Sequence, residues 1–221
     1  MPRSPRFRAL EKELNILRKY FLPRKFDPSG LYSERQLVHA SSYRVLAHAE
    51  IEAYLEDRMK EIALSAVKAW KKNAEIRRTL ICLLAFSGME LEAPPDSLTP
   101  KQTSSKQKHK EKLQLDQKID KALSCFISCV NDNHGIKEKN LLTLLLPIGI
   151  NCDYLEEFWL TSMNSFGENR GIIAHTSASS YKTTQPINPK DELDNIKKIV
   201  YGEPGVQGLK DIDELLNALM K

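Results

Sequence analysis

Apolar residues recur along this chain at three- and four-residue intervals, and the rhythm breaks only at proline, glycine and a few polar stretches. Leu10, Leu14, Leu17 and Phe21 share one helical face within residues 5–22, and Pro23 closes that run. A loop with Asp27, Pro28 and Gly30 follows. From Ser33 to Ala63, "SERQLVHASSYRVLAHAEIEAYLEDRMKEIA" holds neither proline nor glycine. Ser33, with Gln36 three residues on, makes a capping box at its start. This helix is apolar on more than one face, which predicts a central place in a bundle. Residues 64–86 continue as a further helix or as the same one bent, ending near Gly88. Helical spacing resumes at about residue 110 and runs to Asn133, where His134-Gly135 stops it, and a short helix follows over about 137–146. Asp153, with Glu156 three on, opens a helix through "DYLEEFWLTSMNSFGENRGIIAH". After a loop from Thr176 to Pro189, "PKDELDNIKKIV" and "LKDIDELLNALM" predict two closing amphipathic helices. The pattern predicts an all-α bundle of about five to seven helices, without internal repeats.

Composition agrees with helices. Apolar residues make up 41% and charged residues 28% of 221, with only nine glycines. Residues 92–108, "EAPPDSLTPKQTSSKQK", are too polar and proline-rich to bury a core, and read as a flexible basic insertion. The net charge of +4 is unevenly spread. Residues 1–25 carry eight Lys/Arg against Glu11 and Glu13. A basic N-terminal helix or arm over 1–30, ahead of a helical domain over 31–221, is expected, either as a solvated cationic face or as a lure for polyanions. Cys82, Cys125, Cys129 and Cys152 lack zinc-like pairing and read as reduced core residues, which predicts an intracellular, cytoplasmic protein. No apolar stretch is long enough to cross a membrane, and no signal peptide is expected.

The segment "ENRGIIAHTSASS" raises the question of chemistry. Arg170 and His175 stand five positions apart at the end of an apolar helix. On a regular helix that spacing separates their directions by about 140°. They converge only if the helix kinks or tightens at Gly167 or Gly171, or if they face a cleft shared with a second subunit. The pair suits cleavage of a phosphodiester in RNA: an imidazole moves protons near neutral pH, and a guanidinium holds the oxygens of a pentavalent phosphorane. With the RNA's own 2′-hydroxyl as nucleophile no metal or other cofactor is required, and no carboxylate or His/Cys set stands at ligand spacing.

The chain resembles the HEPN superfamily of metal-independent endoribonucleases, which carry an Arg-x4–6-His motif late in a helical bundle. "HASSYRVLAHAEIEAYLEDRM" and "FWLTSMNSFGENRGIIAHTSAS" bring it closer to the RiboL-PSP type, as does the ending "NPKDELDNIKKIV…GLKDIDELLNAL". The resemblance implies a homodimer whose two motif helices form one composite cleft. It implies cleavage of single-stranded RNA or tRNA to 2′,3′-cyclic phosphate and 5′-hydroxyl ends. Carried across, Arg170 stabilises the transition state and His175 acts as base or acid. Such domains serve in toxin–antitoxin and anti-phage systems, so an antitoxin or other regulatory partner is implied as well. Many relatives have a polar residue after the arginine; here Gly171 stands there, which leaves Asn169 as the polar neighbour. Some carry a tyrosine two residues after the histidine as a target for silencing, and Ser177 takes that place.

Other residues have two readings each. Glu50 lies in line with Tyr43, Leu46, Ala47, Ala53 and Tyr54, so its carboxylate needs a partner, either Arg170 or a structural network. His48 and Glu52, one turn apart, make a helix surface pair, or His48 takes a functional role. Trp70 and Trp159 read as core anchors. Lys106, Lys108 and Lys110 either guide RNA or are simply solvated. His39, His109 and His134 read as surface or loop residues. Against the nuclease stand a non-catalytic HEPN-like module that binds RNA or a partner protein, and an unrelated helical scaffold.

Overall fold

The computed structural model describes residues 3–89, 114–175 and 187–220, with side chains in the second stretch described through Arg170. Among these residues the chain forms eight α-helices: α1 (Pro5–Phe21), α2 (Glu34–Asn73), α3 (Arg78–Ala85), α4 (Leu115–Asn131), α5 (Glu138–Leu145), α6 (Glu157–His175), α7 (Pro189–Tyr201) and α8 (Leu209–Ala218). The architecture is all-α, as expected. The run from Ser33 to Phe86 breaks once, at Ala74, which makes α3 a further helix and not the same one bent. That residue sits in the left-handed region at φ 52° and caps α2 through its N–H to the Trp70 carbonyl. A non-glycine terminator leaves little trace in a sequence.

Helix starts follow local chemistry. The Ser4 hydroxyl accepts from Phe7 N ahead of Pro5, the Ser33–Gln36 capping box is formed, and the Asn188 side chain caps α7 ahead of Pro189. At 40 residues, α2 is about 60 Å long. It is the spine of the bundle: α1, α3, α4, α5, α6 and α7 all pack against it. Tyr43, Ala47, Ile51, Tyr54, Leu55, Met59, Ile62 and Ala63 are all buried, which is why its apolar pattern covers more than one face. The basic α1 lies down on this spine through Phe7, Leu10 and Leu14; Arg8, Lys12, Arg18 and Lys19 are exposed, while Arg6 is half-buried and donates to Asp57 of α2 at 2.8 Å.

A buried carboxylate ties α1, α2 and α8 together. Asp213, on α8, is fully buried. It accepts from the Ser4 N–H at 2.8 Å, the Ser4 hydroxyl at 2.6 Å and the Tyr54 hydroxyl at 2.8 Å. Arg58 Nε lies 3.5 Å from Oδ1 but makes no hydrogen bond there, so this contact is charge proximity alone. Three distant parts of the chain, the start of α1, the middle of α2 and α8, thus meet on one side chain.

Two expectations are corrected. None of the four cysteines is buried: Cys82 and Cys125 are half-buried, and Cys129 and Cys152 are exposed. Helical spacing put them near apolar neighbours, but their own directions fall at the edge of the packed faces. Trp159 is a core anchor, whereas Trp70 is only half-buried, packing on the core while its indole N–H donates to Asp116 at 2.7 Å. The 92–108 insertion, His109 and Lys106, Lys108 and Lys110 lie outside the described residues. Among the described residues, no helix is long and apolar enough to cross a membrane.

Candidate nuclease site

Arg170 lies on α6, five residues before the end of that helix at His175. The α6 helix packs across α2 and α5, so its last described turns meet the middle of the spine. Arg170 is half-buried there and acts electrostatically on two α2 side chains, His48 and Glu52. The burial of His48 corrects the surface-pair reading, since only 1% of the residue is exposed. Its ring lies 5.6 Å from that of Phe166, tilted by 38°, and Phe166 comes from the α6 turn that precedes Arg170. A helical i,i+4 pattern cannot reveal a ring delivered from so far along the chain.

Burial, and secondarily the Arg170 charge, push the His48 pKa down to about 4, so the imidazole is neutral at pH 7. His48 Nδ1 lies 3.5 Å from Glu52 Oε2 without hydrogen-bond geometry. With a neutral ring this contact is not an ion pair at neutral pH. Glu52 shifts the other way: burial and the neighbouring Glu56 carboxylate raise it, while Arg170 and His134 draw it down. The Arg170 charge thus favours the Glu52 carboxylate and disfavours protonation of the His48 ring.

A loop completes the rim. Between α4 and α5, Asn133 Nδ2 donates to Glu56 Oε1 at 2.9 Å and to the Gly135 carbonyl at 3.0 Å, and Asn140 Nδ2 donates to Asn133 Oδ1 at 2.9 Å. Lys137 Nζ reaches Glu168 Oε1 at 3.7 Å, on α6. Asn169 is half-buried beside Arg170, and Glu50 is half-buried on α2. Of the residues expected at the site, the structure thus joins Arg170 with His48. It adds Glu52, Glu56, Phe166, Asn133, His134 and Lys137, which sequence reasoning did not assign to the site. The signal for the first two was the polar stripe His48, Glu52, Glu56 at four-residue spacing; the loop residues gave none. Among the described residues, no three His, Cys, Asp or Glu side chains converge as a ligand set.

The model of the RiboL-PSP-HEPN family matches residues 8–217, from the first turn of α1 into α8. The chain belongs to the RiboL-PSP-HEPN family. The chain matches no curated protein and no solved structure. Membership points to a nuclease or RNA-related module, and the family's span takes in most of α1 as well as Asp213 of α8.

The titration of His48 has a consequence for stability. Its folded pKa, about 4, lies below the ordinary 6.5. Between those values the unfolded chain binds a proton that the folded HEPN domain refuses. This stability is full above about pH 6.5 and is lost as pH falls toward 4, by roughly 3 kcal/mol at 1.36 kcal/mol per pKa unit. Glu52, raised in the folded state, works in the opposite direction and offsets part of the loss at the acid end. Urea unfolding at pH 7 and pH 4.5 is expected to show a smaller acid loss in His48→Gln than in the wild type. Equal acid losses would remove the buried neutral imidazole from this account.

Proposed function

We propose that this HEPN domain is a metal-independent endoribonuclease that cleaves single-stranded RNA or tRNA by attack of the RNA 2′-hydroxyl on the adjacent phosphate. The observation that carries the reading is the setting of Arg170: a half-buried guanidinium whose charge acts on Glu52 and His48, on the helix that ends at His175. His175 takes the 2′-hydroxyl proton or gives a proton to the leaving 5′-oxygen. Arg170 stabilises the charge that gathers on the phosphorane. The 2′-oxygen–phosphorus bond forms as the bond to the 5′-oxygen breaks, leaving a 2′,3′-cyclic phosphate and a 5′-hydroxyl. One histidine serves one proton transfer, and a homodimer that brings two copies of α6 together supplies the second. Glu52 and His48 are positioning residues for Arg170, and Asn169 is its polar neighbour in sequence. Lys106, Lys108 and Lys110 add positive charge for RNA. The setting is a toxin–antitoxin or anti-phage system, with an antitoxin or other regulatory protein as partner, in the cytoplasm.

Two assays test the reaction class. Cleavage of a tRNA pool is expected to persist in EDTA, and an all-deoxy substrate is expected to be inert because it lacks the nucleophile. Complete loss of cleavage in EDTA, or cutting of the deoxy substrate, would contradict the internal-nucleophile mechanism. A helical module that binds RNA or a partner protein without cutting is the alternative. It predicts RNA binding that survives in the wild type with no cleavage under any condition.

A further inference from the structure

We propose that the loop between α4 and α5 forms a phosphate-binding edge for the RNA, with His134 and Lys137 contacting phosphates alongside Arg170. This rests on RNA being the substrate and deepens that reading by naming where the strand lies. The loop is built as a fixed part. Asn133 ties it to Glu56 of α2, Asn140 ties it to itself, and Ile136 is fully buried beneath it. On its other side it presses against α6 at Gly167. A Cβ added to Gly167 would lie 3.0 Å from Lys137 Cγ, 3.6 Å from Lys137 N and 3.8 Å from Ile136 Cγ1. Glycine inside a helix costs about 1 kcal/mol relative to alanine. Here it permits the loop to approach α6 one turn before Arg170.

Two groups on this edge that can donate to a phosphate are accessible, among exposed carboxylates at Asp132, Glu138 and Glu168. His134 is exposed, and the Lys137 side chain is 46% exposed. The ion pair of Lys137 with Glu168, at 3.7 Å, joins two exposed groups, and Asn164 also donates to that carboxylate at 3.1 Å. Such surface pairs contribute little and exchange readily for a stronger anion. The nearby carboxylates on α2 are turned to internal partners, Glu56 to Asn133 and Glu52 toward His48. A strand crossing Arg170 therefore meets an imidazole N–H and an ammonium on the adjoining loop, which suits successive phosphates of a single strand.

The test uses a 2′-O-methyl RNA oligonucleotide, which binds without being cut, titrated by fluorescence anisotropy over a range of salt. The full chain carrying His134→Gln and Lys137→Gln is compared with the wild type and with Lys71→Gln. Lys71, near the C-terminal end of α2, pairs with Asp120 and serves as a remote control. The expected result is a Kd about tenfold weaker in the double variant, with the slope of log Kd against log salt reduced by about 0.7 for the lost Lys137 contact. Lys71→Gln is expected to bind as the wild type. With cleavable RNA, KM is expected to rise in the double variant while kcat stays within about twofold. A double variant that binds as tightly as the wild type with the same slope would overturn the inference, as would a fall in kcat with Kd unchanged. Where that happens in a wild type that binds and cleaves RNA, this inference alone fails. A wild type that binds no RNA defeats the nuclease reading with it.

Discussion

Arg170→Ala is expected to lower RNA cleavage by about 10²–10³ in kcat, the effect of removing one donor aimed at a developing phosphorane charge. The substitution leaves a second signature that does not depend on activity. The Arg170 charge lies behind part of the depression of His48, and it also draws Glu52 down. Its removal is therefore expected to raise both pKa values. The His48 imidazole resonances, followed by NMR, should titrate above their wild-type midpoint of about 4 while remaining below 6.5, because burial is the larger cause and is untouched. An unchanged His48 midpoint would mean that Arg170 does not face the α2 pair. A shifted midpoint with undiminished cleavage would keep the geometry and remove the catalytic role.

Asp213→Ala is expected to destabilise the fold by about 3–5 kcal/mol, the range for removing one member of a buried charged pair. The reason is local and specific. The deletion leaves Ser4 N–H, the Ser4 hydroxyl and the Tyr54 hydroxyl without their acceptor, and leaves Arg58 without its nearest buried carboxylate. Arg58 keeps Glu61 and the Asn217 side chain, the latter at 2.7 Å, so the guanidinium is not stranded altogether. Asp213→Asn retains one acceptor oxygen and is expected to cost less. Chemical denaturation decides the matter through the midpoint at constant slope. A loss under about 1 kcal/mol for the alanine variant would show that this network does not hold α1 and α8 to the spine.

Much of the architecture was legible because it is written locally. Ser33 with Gln36 marked the start of α2, Pro23 and Pro189 marked helix boundaries, and four-residue apolar spacing marked the buried faces. The end of α2 was not legible, since an alanine at φ 52° carries no glycine signature. The candidate site divides the same way. Arg170 and His175 stand out as a motif, and His48 and Glu52 as neighbours on one helix. That Phe166 covers His48, and that the loop around His134 docks against Gly167, are contacts between distant segments. Glycine in "SFGENRG" reads as a possible kink from sequence; in the fold, Gly167 makes room for Lys137. Asp213 was equally silent, an acidic residue on an amphipathic helix whose burial depends on Ser4 arriving from the opposite end of the chain.

The most direct test of the nuclease reading is end-group analysis of tRNA fragments produced in EDTA by the wild type and by His175→Ala. The account predicts wild-type fragments ending in 2′,3′-cyclic phosphate and beginning with 5′-hydroxyl, and their loss in His175→Ala with the dimer intact. Fragments with 3′-hydroxyl and 5′-phosphate ends, or cyclic-phosphate ends produced equally well without His175, would contradict it.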